Sequence, residues 1–255
     1  MKIAHRIGRK LRSWLNRDIY RKTYEAHAAF TPDDAAIGDG DFDLIGRIEL
    51  DLLRAAGLAP HHTLFDLGCG TGRLAVHAVP YLSAGAYVGA DIAPRLLAQA
   101  RNRLAAGGGA GGCRVSWQVQ TTTAIALPPA SVDVLCAFSV FTHLEHEDSY
   151  RYLVDARRVV RPGGKFVFSC LPLDLGVAKD FFRRQAAVAF EGRWAEVRNV
   201  VTSRDMMTTL AEMAGWRVER WYAGDELNIP PADGGGPRAL GQSSCVLVAP
   251  TGNPS

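Results

Sequence analysis

Hydrophobic positions recur along this chain in two spacings, and the change from one to the other marks out its elements. Short apolar runs bounded by turn residues read as buried strands at 64–67, 86–91, 113–119, 131–138, 165–171, 215–222 and 241–248. In the third of these Val115, Trp117 and Val119 alternate with polar neighbours. Between the runs the spacing changes to three and four, as on a helix face. A helix starts at 74–79, a second covers 94–104 with Pro94 in its first turn, and a third covers 148–160. Tyr152, Leu153, Ala156, Val159 and Val160 form the apolar side of that third helix. A fourth covers 203–214 with Ser203 as N-cap, and a helix from 42 to 57 leads into the whole array. Strands alternating with helices predict an α/β domain.

The flanking stretches follow other patterns. In residues 1–22, Ile3, Ile7, Leu11, Trp14, Leu15 and Ile19 make one apolar stripe, with Arg and Lys on the remaining faces. A basic amphipathic helix with tryptophan on its apolar side fits a membrane surface, packing on its own domain, or packing on a partner. It lacks the aromatics that stack on bases, which argues against nucleic acid. Residues 23–41 read as turns. Asp39 and Asp41 lack the rest of a calcium-loop pattern. Residues 105–112 form a loop almost without side chains, and residues 172–201 read either as a surface helix or as a cover over an acceptor site. The expected division is 1–41 as an N-terminal helix and lid, 42–249 as the catalytic domain, and 250–255 as a frayed tail.

The candidate chemistry centres on Asp66-Leu-Gly68-Cys69-Gly70-Thr-Gly72, which joins the first strand to the next helix. Glycines at alternate positions permit positive φ and close backbone approach, and the turn delivers a ligand to a helix N-terminus. The spacing is neither that of a dinucleotide loop nor that of a P-loop, and no lysine follows. Asp66 beside the loop would repel a pyrophosphate and suit a cation. The second strand ends in Asp91, 19 residues after Gly72, where a carboxylate accepts hydrogen bonds from ribose hydroxyls. A positively charged nucleoside without phosphates, S-adenosylmethionine (SAM), matches both acids.

These residues resemble motif I and the acidic loop after it in class I SAM-dependent methyltransferases. The likeness continues through Leu127-Pro-Pro-Ala-Ser-Val-Asp-Val134, Phe141-Thr-His-Leu144 and Arg161-Pro-Gly-Gly-Lys-Phe166. It covers 42–171, and more weakly the chain to 249. It implies a Rossmann-like, seven-stranded, mostly parallel sheet of order 3-2-1-4-5-7-6 flanked by helices. It places Phe42, Gly46, Asp66, Gly68, Cys69, Gly70, Gly72, Asp91, Ile92, Thr121, Thr122, Phe138 and Ser139 at the cofactor, with Tyr20 and Tyr24 contributing to the lid. One departure stands out: the third strand ends in Gln120-Thr-Thr-Thr123, where many members carry an acid for the adenine amino group.

Residues 139–146 lie at the end of the fourth strand, beside the glycine loop. They lack the Asn/Asp-Pro-Pro-aromatic motif of base-methylating enzymes. His143 is the residue there suited to deprotonating a hydroxyl near neutral pH, and its alternative is packing. Glu145, His146 and Asp148 read as helix-start residues. Composition adds limits. With 47% hydrophobic and 22% charged residues the chain is globular. The net charge of +3 divides into +7 over residues 1–22 (eight Lys/Arg, one Asp) and −4 over the rest (21 Lys/Arg, 25 Asp/Glu). Five cysteines without a Cys-x-x-Cys pair argue against zinc and for reduced thiols, and no metal site is expected beyond an unconvincing Asp225-Glu226. No apolar run is long enough to span a bilayer and the start lacks a signal-peptide pattern, so a cytoplasmic location is expected, with peripheral contact at the inner membrane face through residues 1–22.

The resemblance extends to bacterial enzymes of surface-glycan synthesis, which implies O-methylation of a saccharide. A small-molecule O- or N-methyltransferase is the alternative, and a non-catalytic SAM-binding regulatory module is the reading from another class. The sequence leaves oligomeric state open.

Overall fold

The structure is a computed structural model that describes residues 41–189 and 197–252. The expected N-terminal helix at 1–22, with Tyr20 and Tyr24, lies outside the described residues. In chain order the elements are α1 (Phe42–Ala55), β1 (Thr63–Leu67), α2 (Ala75–Tyr81), β2 (Ala86–Asp91), α3 (Pro94–Ala106), β3 (Arg114–Val119), β4 (Val132–Ala137) and α4 (His146–Val159). They continue with β5 (Val160–Pro172), α5 (Gly176–Ala186), β6 (Val201–Thr202), α6 (Arg204–Met213), β7 (Arg217–Tyr222) and β8 (Ser243–Val248).

The sheet runs β3-β2-β1-β4-β5-β8-β7, which is the expected order, and the two-residue β6 adds an eighth strand beside β5. The pairs from β3 through β5 are parallel, while β8 is antiparallel to both β5 and β7. Because strand side chains alternate between faces, each central strand feeds two cores. Phe65, Leu135, Phe166, Phe168 and Leu247 point to the layer containing α4 and α6. Leu64, Tyr87, Val134, Val167 and Val246 point to the layer containing α1 and α2. Both faces are covered, which explains why the central strands read as nearly continuous apolar runs.

Two expectations change. The 161–164 segment, expected as a turn ending the helix, lies within β5: Val132 pairs with Val160, then Val134 pairs with Lys165, so the intervening residues bulge. Gly163 takes φ 78° there. A Cβ on Gly164 would fall 2.7 Å from the Asp133 carbonyl, so the strand passes its neighbour at a distance only glycine allows. The helix expected at 148–160 starts at His146, because Glu147 and Asp148 enter its positive first turn. Ser203 does cap α6, accepting from Met206 N–H at 3.1 Å.

Candidate active site

The glycine loop is drawn tightly to the end of β2. Gly68 and Cys69 N–H groups both donate to the Ala90 carbonyl, at 2.7 and 3.0 Å. Gly68, Gly70 and Gly72 all have positive φ. A Cβ on Gly68 would meet Val140 Cγ2 at 2.3 Å, so the loop lies against the segment that follows β4. Asp91 ties the two together: Gly70 N–H donates to its Oδ2 at 3.0 Å and Ala93 N–H to its Oδ1 at 2.9 Å. Each oxygen keeps a second lone pair for a ligand hydroxyl. Burial raises the Asp91 carboxyl above its usual range. Ile92 follows, half-buried against Ala93 and Leu96.

Asp66 lies near the end of β1, just before the glycine loop. It is buried on the α1/α2 side of β1, where Tyr87 O–H donates to Oδ2 at 2.6 Å and Cys136 S–H to Oδ1 at 3.5 Å. Burial pushes its carboxyl up to about 7, against the lowering pull of the Tyr87 hydrogen bond. The folded chain therefore binds this proton more tightly than the unfolded chain, where a carboxyl titrates near ~4. Stability contributed by Asp66 is fully present at acid pH and is lost as pH rises from about 4 to about 7. Denaturant unfolding at pH 5 and pH 8 should show a smaller difference for Asp66→Asn than for the wild type; an equal difference would remove Asp66 as the source.

Nearby Glu49 of α1, also buried, accepts from Arg73 Nη2 at 2.5 Å. Its carboxyl is raised by burial despite the arginine. Gly46 brings α1 close, since a Cβ there would sit 2.4 Å from the Arg73 carbonyl and 2.7 Å from His77 Cδ2. Phe42 opens α1 under the Arg103 guanidinium, 4.0 Å from the ring centroid, and Arg103 Nη1 donates to Thr71 Oγ1 at 3.2 Å. Cys69 is buried and its thiol is pushed up by burial and by Asp66 and Asp91. That fits a small loop residue and not a nucleophile.

After β3 the chain is organised by Gln120 rather than by the threonines. Gln120 is buried and its Nε2 donates to the carbonyls of Thr122 (2.5 Å) and Ala124 (2.8 Å). Tyr152 O–H also donates to the Thr122 carbonyl, at 3.2 Å. Thr121 and Thr122 are exposed, and Thr122 Oγ1 donates to its own loop at Ala124, 3.3 Å away. Farther along, Asp155 accepts from Ile125 N–H, and Arg158 donates to the Ile125 and Leu127 carbonyls at 2.8 Å each.

At the carboxyl end of β4, Phe138 is buried and Ser139 takes φ 56°, uncommon for a residue with a Cβ. A closed ring of hydrogen bonds holds it. Ser139 N–H donates to Ser169 Oγ (2.8 Å), Ser169 O–H to Gln242 Oε1 (2.7 Å), and Gln242 Nε2 to Ser139 Oγ (3.1 Å). These residues come from the ends of three neighbouring strands, β4, β5 and β8. Ser169 and Gln242 escaped the sequence reading; the signal available was a serine inside the apolar run 166–171. His143 follows, with Nδ1 2.7 Å from the Arg198 carbonyl. Residues 197–202 thus come back across this end of the sheet, Val201 pairing with Leu171 of β5. The structure therefore brings together the glycine loop, Asp91, Ser139 and the start of the His143 segment, while Thr121 and Thr122 stay on the surface.

The fold and this loop define a Rossmann-like methyltransferase architecture, and comparison with known proteins agrees. Residues 64–164 match a family model described as a methyltransferase domain. Among solved structures, a chain of the Haloferax volcanii complex between the Trm112 methyltransferase activator and a methyltransferase is 19% identical, with TM-score 0.65 over 92% of this chain and 99% of that one. PH0226 protein from Pyrococcus horikoshii OT3 is 17% identical, with TM-score 0.62 over 88% and 98%. Magnesium protoporphyrin IX methyltransferase from Synechocystis PCC 6803 with bound SAM is 14% identical, with TM-score 0.62 over 91% and 96%. Residues 64–164 thus match a methyltransferase domain on the fold that SAM-dependent methyltransferases share, and together these likenesses support SAM as the cofactor. The donor set fits: two buried acids flank a glycine turn that carries no lysine for a phosphate. Among the described residues no helix is long and apolar enough to cross a membrane.

Proposed function

We propose that this enzyme methylates a hydroxyl group, on a saccharide or surface glycan, with His143 as the base. Bound SAM supplies an activated methyl group on a sulfonium. Asp91 accepts from the ribose hydroxyls, Gly68, Gly70 and Gly72 let backbone approach the ligand, and buried Asp66 acts on its positive charge from beneath the loop. Phe42, Gly46, Cys69, Ile92, Phe138 and Ser139 complete the cofactor surroundings, with Thr121 and Thr122 at the adenine side. The observation that carries the reading is the His143 ring beside the end of β4, its Nδ1 engaged by a carbonyl that can only accept. The lone pair of the neutral ring is then on Nε2, the form a general base needs. The Ser139–Ser169–Gln242 ring fixes polar groups at the ends of β4, β5 and β8, with Ser139 and Gln242 partly exposed, which suits a hydroxyl-rich acceptor. The described parts of 172–201, residues 172–189 and 197–201, are proposed to cover that acceptor, in a domain that extends over 42–249.

Release of S-adenosylhomocysteine across sugars, nucleotide-sugars and glycan fragments tests this. Release with one saccharide class supports it. Release only with other small molecules would favour the alternative, a class that includes the substrate named for the Synechocystis neighbour. SAM binding without any release would favour a regulatory module. His143→Ala should keep SAM affinity and slow transfer about 10²-fold, the low end for a positioned base. Equal turnover would return His143 to packing. Residues 1–22 are proposed to bring the enzyme to a membrane surface carrying its acceptor. Sedimentation with anionic liposomes should disappear when they are removed, and retained sedimentation would refute that role.

A further inference from the structure

The chain that returns from α5 is fastened to the residues after β4 at three successive points. Val200 N–H donates to the Thr142 carbonyl at 2.6 Å, the Arg198 carbonyl faces His143 Nδ1 at 2.7 Å, and Arg198 Nη1 pairs with Glu145 Oε1 at 2.9 Å. Downstream, β6 docks on β5 through Leu171–Val201 and Pro172–Thr202. The Arg198 backbone is thus held from both sides, by strand pairing after it and by the ion pair of its own side chain.

A carbonyl oxygen has no proton to give, so the ring nitrogen facing it carries one. A histidine side chain in water places its proton mainly on Nε2, the opposite arrangement. The contact therefore has to overcome the intrinsic preference, and it does so only while the carbonyl stays in place. The Arg198–Glu145 pair is partly exposed, and such pairs contribute little to stability on their own. What it fixes is direction: with the guanidinium anchored at the N-cap residue of α4, the peptide group of Arg198 has little freedom to turn away.

We propose that Arg198 is a positioning residue: its ion pair with Glu145 holds its carbonyl against His143, locks the Nδ1–H tautomer, and so makes Nε2 the nitrogen that receives the acceptor proton. The inference rests on the reading of His143 as the base. It also makes the returning segment part of the catalytic apparatus, since the basic nitrogen is set by a residue 55 positions away in the chain. In the transfer step the acceptor O–H bond breaks and its proton goes to Nε2, while the oxygen forms the bond to the methyl carbon and the carbon–sulfur pair leaves with sulfur.

Imidazole nitrogen-15 NMR on the full chain, labelled at histidine and recorded above the pH at which the rings protonate, reads the tautomer without any acceptor. The expected wild-type signal for His143, assigned by its loss in His143→Ala, is a protonated Nδ1 and an unprotonated Nε2. Arg198→Ala and Glu145→Gln should each lower the Nδ1–H to Nε2–H ratio by about fivefold, the effect of one net hydrogen bond. Arg198→Lys should restore most of it, which a general loss of packing would not. SAM affinity, measured by calorimetry on the same samples, should stay within about twofold, since binding energy lost at the loop would appear there. An Nε2–H tautomer in the wild type, or an unchanged ratio in both clasp variants, would overturn the proposal. Full transfer activity in His143→Ala with the wild-type tautomer as expected would overturn the base reading instead, so the two failures are distinguishable.

Discussion

Asp91→Ala is expected to weaken SAM binding by about 10²–10³-fold. The carboxylate receives the Gly70 and Ala93 N–H groups, and in the proposed function it receives the ribose hydroxyls as well. Hydrogen bonds to a charged group contribute roughly 1.5–3 kcal/mol each. Removing it therefore loosens the loop and deletes ligand contacts at once. Asp91→Asn separates the two, because its single amide oxygen can serve one of the two N–H groups but its NH₂ faces the other. Its affinity should fall between wild type and Asp91→Ala. Calorimetry on each variant checks this; unchanged affinity in Asp91→Ala would mean that the ribose is held elsewhere.

Arg73→Ala should produce the largest loss of stability among changes near the site, about 3–5 kcal/mol near neutral pH, as for a buried ion pair stripped of one partner. Glu49 is 2% exposed and receives the Arg73 guanidinium, so truncation leaves a carboxylate in an apolar layer with Leu52, Leu53 and Val79. Burial already favours its protonated form. The folded variant will hold that proton more tightly than the unfolded chain, so its deficit should shrink as pH falls toward the ordinary carboxyl range and grow as pH rises. The double change Glu49→Gln/Arg73→Met should recover most of the loss. Denaturant midpoints at two pH values measure all three variants, and a pH-independent deficit would point to lost packing instead of stranded charge.

What could be read in advance depended on how local its cause was. The sheet and its order followed from apolar runs, and the glycine loop from three residues whose backbone needs are visible in one heptapeptide. Asp91 was legible for the same reason, since its position at a strand end is a local fact. Asp66 was legible as an acid beside the loop but its partners were not: strand alternation sends it to the Tyr87 and Cys136 layer, and that depends on which face of β1 is which. The Arg161–Gly164 turn was misread because a helix stop and a strand bulge use the same Pro and Gly. Ser169, Arg198 and Gln242 owe their roles to partners between 30 and 103 residues away, and a single sequence does not say which residues pair at such distances. The glycine at 46 was noted for a lid, yet its position against the Arg73 carbonyl shows a helix–loop contact too close for a Cβ.

The place of β8 has a consequence for how the enzyme is made. It is the last strand in the chain but sits between β5 and β7, pairing with both. During synthesis the half of the sheet from β3 to β4, with the cofactor loop, has all its partners long before residue 248 leaves the ribosome. β5 and β7 must wait with an open seam between them, and Gln242, the residue that closes the hydrogen-bond ring on Ser139, arrives with the strand that fills it. The half that carries the glycine loop is ready first, and the half that carries the hydrogen-bond ring is finished by the final strand.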